Sequence, residues 1–226
     1  MSIADREVPL SQQNLPTFES ERLLVRPRVL ADLEDCLAMD RDPEVTRYIP
    51  GPWNDPQKHP NDHPNNHRDF VLGRMTADYP AGLGYWSVVA KRENKAREQA
   101  REQAGEQDNS AGQSEEFLGW ILLLAYPDET AEVLPGKAED TSRVEIGWRF
   151  VRAAWGKGYA SEASALVLKH ALALPAVREV VADIDPENSG SIRVAEKIGL
   201  VFCGERRVDG EWVYCYHQTC DAKPAF

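Results

Sequence analysis

The chain has 226 residues, of which 42% are hydrophobic, and a formal net charge of −11 at pH 7. This length predicts one domain with a sizeable core, and the acidic balance disfavours a nucleic-acid partner, because binding to phosphates needs clustered Lys and Arg. No apolar stretch approaches the ~20 residues that span a bilayer. Residues 1–7 lack the basic-then-apolar pattern of a secretory signal, so we expect a cytoplasmic protein without a membrane partner.

The first half of the chain predicts a polar tail followed by short strands and helices. Residues 1–17 form the tail, and we expect a single domain over residues 18–226. The predicted strands are residues 21–27, 85–91 and 117–125, and the predicted helices are residues 32–39, a short one that opens at 42–45, and residues 66–79. Pro27 should end the first strand, whereas Pro43 suits the first turn of a helix.

Three polar segments are predicted to be loops between these elements. Residues 50–67 contain five prolines and three evenly spaced histidines. The histidines would align on a helix and could hold a metal, but the prolines oppose a helix there, so we favour a polar loop. Residues 92–115 include a tandem Ala-Arg-Glu-Gln unit that cannot bury an apolar face, which predicts a solvated insertion. Residues 127–141 form a second polar excursion.

The second half of the chain has a more regular pattern. The predicted strands are residues 143–151, 178–184, 200–207 and 212–220, and the predicted helices are residues 159–174 and 189–198. The longer helix carries an apolar stripe at a spacing of three to four residues, formed by Ala160, Ala163, Val167, Ala171 and Leu174. Predicted strands and helices thus alternate in this half of the chain, and further predicted strands lie next to them. This pattern predicts a mixed α/β sheet. Cys215 and Cys220 would face opposite sides of the last strand, so together with His217 they predict no zinc site.

The run from Trp155 to Ala163, WGKGYASEA, joins a predicted strand to a predicted helix. Glycines at such a junction let main-chain N–H groups approach a ligand without hindrance from side chains. The helix N-terminus adds unpaired donors and the positive end of its dipole. The turn therefore suits a phosphate or diphosphate group.

Three other interpretations of this turn are open on the residues alone. A P-loop needs four residues between its glycines, whereas Gly156 and Gly158 are only two positions apart. A dinucleotide-binding turn needs a third glycine or alanine where this chain has Ser161, although Asp183 falls at a suitable distance for its ribose contact. A turn without a ligand explains either glycine alone, but it explains less well the strand, turn and helix together.

The turn and its neighbouring segments resemble the GNAT superfamily of acyl-CoA-dependent N-acetyltransferases, and most closely its RimJ/RimL-like branch. The diphosphate motif of that superfamily, Gln/Arg-x-x-Gly-x-Gly/Ala, is similar to residues 155–160, with Trp155 as the departure. The other similar segments are Glu145-Ile146-Gly147-Trp148, Asn188 to Leu200, residues 21–26 and residues 42–48. The resemblance covers roughly residues 18–220 except the insertion. It implies an α/β fold with a central, mostly antiparallel sheet flanked by helices.

The same resemblance implies acetyl transfer from acetyl-CoA, as co-substrate, to a primary amine by direct attack and without a metal. It implies a cofactor-binding set of Phe150, Val151, Arg152, Trp155, Gly156, Lys157, Gly158, Tyr159, Ala160, Asn188 and Ser191. Within that set, a main-chain N–H of residues 150–152 would donate to the reacting carbonyl. Asn188 also suits the N-cap of the helix that follows it, which is a sufficient structural reason for its presence.

Two residues are candidates for proton transfer. An alkyl ammonium has a pKa of about 10.4, so a proton must leave the amine before it attacks. Glu145 is the candidate base, acting through a water, and the alternative is a salt-bridged strand carboxylate. Ser191 is the candidate acid for the departing thiolate, because the Tyr that many relatives use is matched here by Ala195. Solvent is the alternative donor.

The acceptor is expected to be a small amine or a protein N-terminus. Its specificity should come from residues 40–80, including Tyr48, Trp53 and Phe70, with Trp86 nearby. A homodimer is the commonest assembly of such proteins and stays open. Two other functions also stay open at this point: a noncatalytic acyl-CoA-binding regulatory module and a dinucleotide-binding protein.

Overall fold

The computed structural model describes residues 14–49, 67–91, 116–126, 140–208 and 210–220. Residues 1–13 of the predicted tail lie outside these ranges, and so do three of the predicted loop segments. They are the proline-rich loop up to residue 66, the insertion over residues 92–115 and residues 127–139 of the second excursion.

Within the described ranges, eight strands form one sheet. They are β1 (Phe18–Glu19), β2 (Leu23–Pro27), β3 (Gly84–Ala90), β4 (Glu116–Ala125), β5 (Arg143–Phe150), β6 (Glu179–Ile184), β7 (Val201–Val208) and β8 (Glu211–Thr219). Their order is β1-β2-β3-β4-β5-β6-β8-β7. Every neighbouring pair is antiparallel except β5 and β6, which run parallel. The predicted mixed and mostly antiparallel sheet is confirmed, whereas the two-residue strand β1 was not predicted.

Helices lie on both sides of this sheet. They are α1 (Leu33–Asp40), α2 (Pro43–Thr46), α3 (His67–Thr76), α4 (Tyr159–Ala173) and α5 (Ser189–Ile198). As predicted, Pro27 ends β2 and Pro43 opens α2, where the Asp42 carboxylate accepts from the Glu44 N–H at 3.1 Å. In the part of the chain that the structure describes, no helix combines the length and the apolarity needed to cross a bilayer.

A separate apolar core lies on each face of the sheet. On one face α4 packs its predicted stripe against the central strands, and Ala163, Val167 and Ala171 are completely buried there. On the other face α1 and α3 pack against β3 and β4, where Met75 and Tyr85 are almost completely buried. The 3.6-residue period of the helices and the two-residue alternation of the strands produce this division.

The sheet opens between its two parallel strands. β5 and β6 pair only through Arg143↔Glu179, Val144↔Val180 and Glu145↔Val181. Beyond Glu145, β5 stays paired with β4 on its other side, and β6 stays paired with β8. The two strands therefore diverge, and the β5 edge over residues 146–150 has no strand beside it among the described residues.

A bulge in β4 brings that strand close to the end of β5. The register between β3 and β4 shifts at Val88/Val89, and Gly119 follows the shift with a φ of +153°. A Cβ atom added to Gly119 would lie 2.2 Å from the carbonyl oxygen of Arg149. Only glycine fits this approach, which fixes the end of β5 at the mouth of the opening.

Candidate active site

A cavity of about 500 Å³ lies where β5 and β6 diverge. Its wall is formed by the end of β5, the glycine turn, and the first turns of α4 and α5. Four residues in α2 and just after it also belong to the wall: Glu44, Val45, Tyr48 and Ile49. Eight of the predicted site residues line it: Phe150, Trp155, Gly156, Gly158, Tyr159, Ala160, Asn188 and Ser191. The other four, Glu145, Val151, Arg152 and Lys157, are not part of this wall. Segments that are far apart in the sequence therefore meet around one space.

The glycine turn presents unpaired main-chain donors to this cavity. Gly156 and Gly158 have φ values of +73° and +82°, and Gly158 is the N-cap residue of α4. The first hydrogen bond of the helix runs from the Glu162 N–H to the Gly158 carbonyl at 3.0 Å. The main-chain N–H groups of residues 156–161 make no hydrogen bond with any other described residue. A Cβ atom added to Gly156 would meet nothing within 4 Å, so a ligand can approach these donors.

The unpaired edge of β5 presents further main-chain groups. The Val151 N–H donates to the Leu118 carbonyl at 2.9 Å, so it is already used within the sheet and we do not propose it as a donor to a substrate. Because main-chain groups alternate in direction along an antiparallel ladder, the Phe150 N–H points away from β4 and toward the opening. The Phe150 carbonyl accepts from the indole N–H of Trp155 at 2.9 Å, which fixes the strand end against the turn.

Arg152 and Lys157, two residues of the predicted cofactor-binding set, make contacts with other parts of the protein. Arg152 is 61% exposed and forms an ion pair with Asp42 at 2.9 Å. The Lys157 carbonyl accepts from Arg22 at 3.0 Å. Neither residue is part of the cavity wall, but the main-chain N–H of Lys157 belongs to the run of the turn that has no partner among the described residues.

The start of α5 places a hydroxyl group at the opening. The Asn188 side chain accepts from the Ser191 N–H at 3.0 Å, so the predicted N-cap is confirmed. The Ser191 Oγ accepts from the indole N–H of Trp148 on β5 at 3.2 Å. Since an indole nitrogen can only donate, Ser191 keeps its own O–H for a different acceptor. This bond also connects the two sides of the opening.

Glu145 lies at the last residue pair before the strands diverge. Gly147, the next residue of β5 on the same face, lines the cavity. The Glu145 carboxyl makes no hydrogen bond or ion pair with any other described residue. Burial, and secondarily the nearby charge of Asp183, raises the pKa of Glu145 to about 7. A carboxyl group with such a pKa can take up or release a proton near neutral pH.

Asp183, the acidic residue that kept a dinucleotide-binding turn open, has partners within the sheet. Its carboxylate accepts from Arg206 Nε at 2.9 Å and from the Tyr126 hydroxyl at 2.9 Å. The sheet is also mostly antiparallel, whereas a dinucleotide-binding fold needs a parallel one. The geometry therefore does not favour that function.

The opposite end of the cavity is bounded by α2, β4 and β5. Trp120 and Arg149 line it, and the guanidinium of Arg149 lies 4.9 Å from the ring centre of Trp120. Arg149 also donates to Asp40 on α1 at 2.6 Å, and Asp40 lies 3.1 Å from His67 Nε2 on α3. Burial alone would raise the pKa of Asp40, but the hydrogen bond with His67 and the charge of Arg149 lower it. This cluster connects both helices to the cavity wall.

The aromatic residues expected near the acceptor lie in different places. Tyr48 lines the cavity, whereas Phe70 does not. Trp86 is completely buried and its indole donates to the Pro16 carbonyl at 2.8 Å. The expectation for Trp86 is wrong, because it faces the α4 core from a central strand. Trp53 lies outside the described residues.

A family profile described as Acetyltransferase (GNAT) domain matches residues 22–201. The chain belongs to this GNAT family. The match spans β2 to the start of β7 and includes the glycine turn and the opening between β5 and β6. GNAT domains use acetyl-CoA as a co-substrate and bind an acceptor.

Solved structures agree with this GNAT assignment. The chain is similar to a GNAT-family acetyltransferase from Bacillus anthracis, with 25% identity and a TM-score of 0.59 over 90% of this chain and 98% of that one. An acetyltransferase from Agrobacterium tumefaciens strain C58 is 20% identical, with a TM-score of 0.57 over 90% and 94% of the two chains. At the lower identity the likeness concerns the fold alone.

Two Bacillus subtilis (strain 168) proteins are similar over shorter stretches. The uncharacterised protein YkkB is 37% identical over 94 residues, which is 39% of this chain and 55% of YkkB. The uncharacterised N-acetyltransferase YnaD is 41% identical over 56 residues, which is 25% of this chain and 33% of YnaD. The chain thus spans about half and one third of these two relatives.

Sequence reasoning missed two residues that contribute to the GNAT site. Arg22 contacts the glycine turn, and Trp148 holds the Ser191 hydroxyl. Each contact joins residues that are far apart in the sequence, by 135 and 43 positions. Both residues lie in segments that resemble the family, but no local pattern indicates the contacts that they make.

Proposed function

We propose that this GNAT protein is an acetyl-CoA-dependent N-acetyltransferase of the RimJ/RimL-like branch, which acetylates a primary amine by direct attack. The observation that carries the proposal is a run of main-chain N–H groups, over residues 156–161, that make no hydrogen bond with any other described residue. This run belongs to a turn that borders the cavity beside the split sheet. A diphosphate needs such a set of donors at a helix N-terminus.

The charge around the cavity supports an anionic ligand. The whole chain carries a formal net charge of −11. The α5 side of the cavity wall nevertheless contains two cationic residues, Arg193 and Lys197, beside the carboxylate of Glu187. Arg149 is not counted here because it is paired with Asp40. Local positive charge attracts phosphate groups even in an acidic protein. Together with the amides of the turn, it supports the binding of coenzyme A in this orientation.

The unpaired β5 edge supports the binding of the extended arm of coenzyme A. An extended amide-containing chain can add to a free strand edge through main-chain hydrogen bonds. The β5 edge over residues 146–150 offers such groups beside the opening. The Asn188 side chain, which lines the cavity and caps α5, is a further donor for that arm.

When bound, acetyl-CoA supplies an acetyl group activated as a thioester. The Phe150 N–H points to the opening and can donate to a carbonyl oxygen placed there. The Ser191 O–H remains available to give a proton to a sulfur atom beside α5. Glu145, with a pKa of about 7, can take a proton from an ammonium group through a water. These three roles need no covalent intermediate on the protein.

The acceptor in this proposal is a primary amine on a small molecule or at a protein N-terminus. It would enter at the end of the cavity bounded by Glu44, Tyr48 and Trp120. A carboxylate beside aromatic rings attracts a cationic amine. This combination supports an amine and gives no preference between the two kinds of acceptor.

A matched pair of glycine substitutions tests the proposal. Gly156→Ala and Gly210→Ala both place an alanine at a positive φ, +73° and +89°, with nothing within 4 Å of the new Cβ. Both should therefore destabilise the fold equally, by about 1 kcal/mol. Gly156 lines the cavity, whereas Gly210 lies between β7 and β8 and is not part of the cavity wall.

Titration calorimetry with coenzyme A and a screen of amines for thiol release from acetyl-CoA complete this test. We expect Gly156→Ala to weaken coenzyme A binding by about tenfold or more, while Gly210→Ala binds as the unsubstituted protein does. Equal affinities in all three proteins would refute the assigned binding site. Binding without thiol release by any amine would favour a noncatalytic acyl-CoA-binding module.

A further inference from the structure

Arg22, the residue just before β2, forms a bridge to the glycine turn and to the first turn of α4. Its Nη1 donates to the Lys157 carbonyl at 3.0 Å, and its Nε donates to Glu162 Oε2 at 2.9 Å. Its Nη2 forms an ion pair with the same carboxylate. The guanidinium carbon also lies 4.6 Å from the centre of the Tyr159 ring. One side chain therefore touches three positions of the turn and helix.

The residues on either side of Arg22 hold it in place beside the sheet. Leu23, the next residue after Arg22, is completely buried and begins β2. Ser20, just before it, donates from its hydroxyl to Glu162 Oε1 at 2.5 Å and accepts from the Leu23 N–H at 2.9 Å. Ser20 and Arg22, which both lie in the loop between β1 and β2, therefore both donate to the Glu162 carboxylate. The main chain of the glycine turn has no comparable side-chain support elsewhere among the described residues.

The negative charge of Glu162 would oppose the binding of a diphosphate, and Arg22 neutralises this charge. A carboxylate in the first helical turn is favourable to the helix dipole, but it lies next to the amides that would hold a doubly charged diphosphate. Burial alone would raise the pKa of Glu162, but the hydrogen bonds from Ser20 and Arg22 lower it. The carboxylate therefore stays ionised, and without Arg22 its charge would repel an anionic ligand.

From these contacts we propose that Arg22 is a positioning residue for coenzyme A. It holds the glycine turn through the Lys157 carbonyl and neutralises Glu162, so that the amides of residues 156–161 are presented to the diphosphate. The inference rests on the proposed function, because it concerns the same ligand. Arg22 is assigned no contact with the substrate, since its donors are directed to protein acceptors.

Two substitutions of Arg22 and one control at another place in the fold separate positioning from direct charge attraction. Arg22→Gln removes the charge and the forked donor, and Arg22→Lys keeps only the charge. Arg178→Gln is the matched control, because Arg178 is exposed and also donates to a turn carbonyl, that of Pro175 at 3.0 Å. Coenzyme A affinity is measured by titration calorimetry, and folding by the midpoint of urea unfolding.

We expect Arg22→Gln, which loses both roles, to raise the Kd for coenzyme A by about tenfold, and Arg22→Lys, which still neutralises Glu162, to raise it by about threefold. Arg178→Gln should leave the Kd unchanged. Full recovery of affinity in Arg22→Lys would overturn positioning in favour of simple charge attraction. If the unsubstituted protein itself fails to bind coenzyme A, the proposed function fails instead.

A double-substitution cycle gives a second test of the proposal. Its result would be unaffected if Arg22 had only a structural role. If Arg22 acts partly through Glu162, Arg22→Gln combined with Glu162→Gln should bind coenzyme A no more weakly than Arg22→Gln alone. Independent losses that add in the double variant would overturn the proposal. In acetyl transfer, the expected change in Arg22→Gln is a higher KM for acetyl-CoA at an unchanged kcat, and the reverse pattern would also overturn it.

Discussion

Glu145→Gln should make the protein more stable at alkaline pH and less active at the same time. In the folded protein, burial and then the charge of Asp183 raise the pKa of Glu145 to about 7, from an ordinary value of 4.5. Glutamine has nearly the same shape and no charge. It therefore removes the ionisation of this carboxyl and leaves the packing of β5 almost unchanged.

The sign of the effect follows from proton linkage. Because the folded state binds this proton more tightly than the unfolded state, stability falls as the pH rises from about 4.5 through about 7. The interval between the two pKa values corresponds to roughly 3 kcal/mol. Since part of the Glu145 surface still meets solvent, we expect a change of about 1–3 kcal/mol. The free energy of unfolding of Glu145→Gln, relative to that of the unsubstituted protein, should therefore rise by this amount between pH 4.5 and pH 8.

Urea unfolding followed by tryptophan fluorescence at pH 5, 6, 7 and 8 measures this difference. The chain has six Trp residues to report on unfolding. Glu205→Gln, which removes an exposed carboxylate from strand β7, controls for the loss of one negative charge. A stability difference that stays flat across this range for Glu145→Gln would refute the desolvated environment assigned to the carboxyl.

The activity of the same variant tests the role of Glu145 as a base. Loss of a general base lowers kcat by about 100-fold or more, whereas the Kd for coenzyme A should not change. In the unsubstituted protein, the rate should rise as the pH passes through about 7, and this limb should be absent in Glu145→Gln. A variant that keeps the full rate and the full pH profile would show that the base lies elsewhere.

Two further predictions concern the end of β5 and the start of α5. Gly119→Ala should destabilise the fold by more than about 3 kcal/mol in urea unfolding, because its Cβ would lie 2.2 Å from the Arg149 carbonyl oxygen; a loss as small as that in Gly210→Ala would contradict this. Ser191→Ala should lower kcat for thiol release by about 100-fold without changing coenzyme A affinity, because the Ser191 N–H still donates to Asn188. An unchanged kcat would assign the proton transfer to solvent.

Local patterns in the sequence were sufficient to predict all the described α-helices and all the described strands except β1, and also the glycine turn of the site. The stripe of Ala163, Val167 and Ala171 predicted the buried face of α4, and Asn188 predicted the N-cap of α5. The glycine turn was predicted to expose main-chain donors, and its two glycines have positive φ values. Each of these features depends on periodicity or on backbone preferences over a few residues, which the sequence determines by itself.

Only the tertiary structure decided which main-chain and side-chain groups face the cavity. Because β5 and β6 diverge after Glu145, no described strand accepts a hydrogen bond from the Phe150 N–H. The Val151 N–H, in contrast, donates to the Leu118 carbonyl at the bulge in β4. The bridge from Arg22 to Glu162 spans 140 positions of the chain. Strand register and such distant contacts depend on how the whole sheet packs, so no short stretch of sequence contains the physical information that sets them.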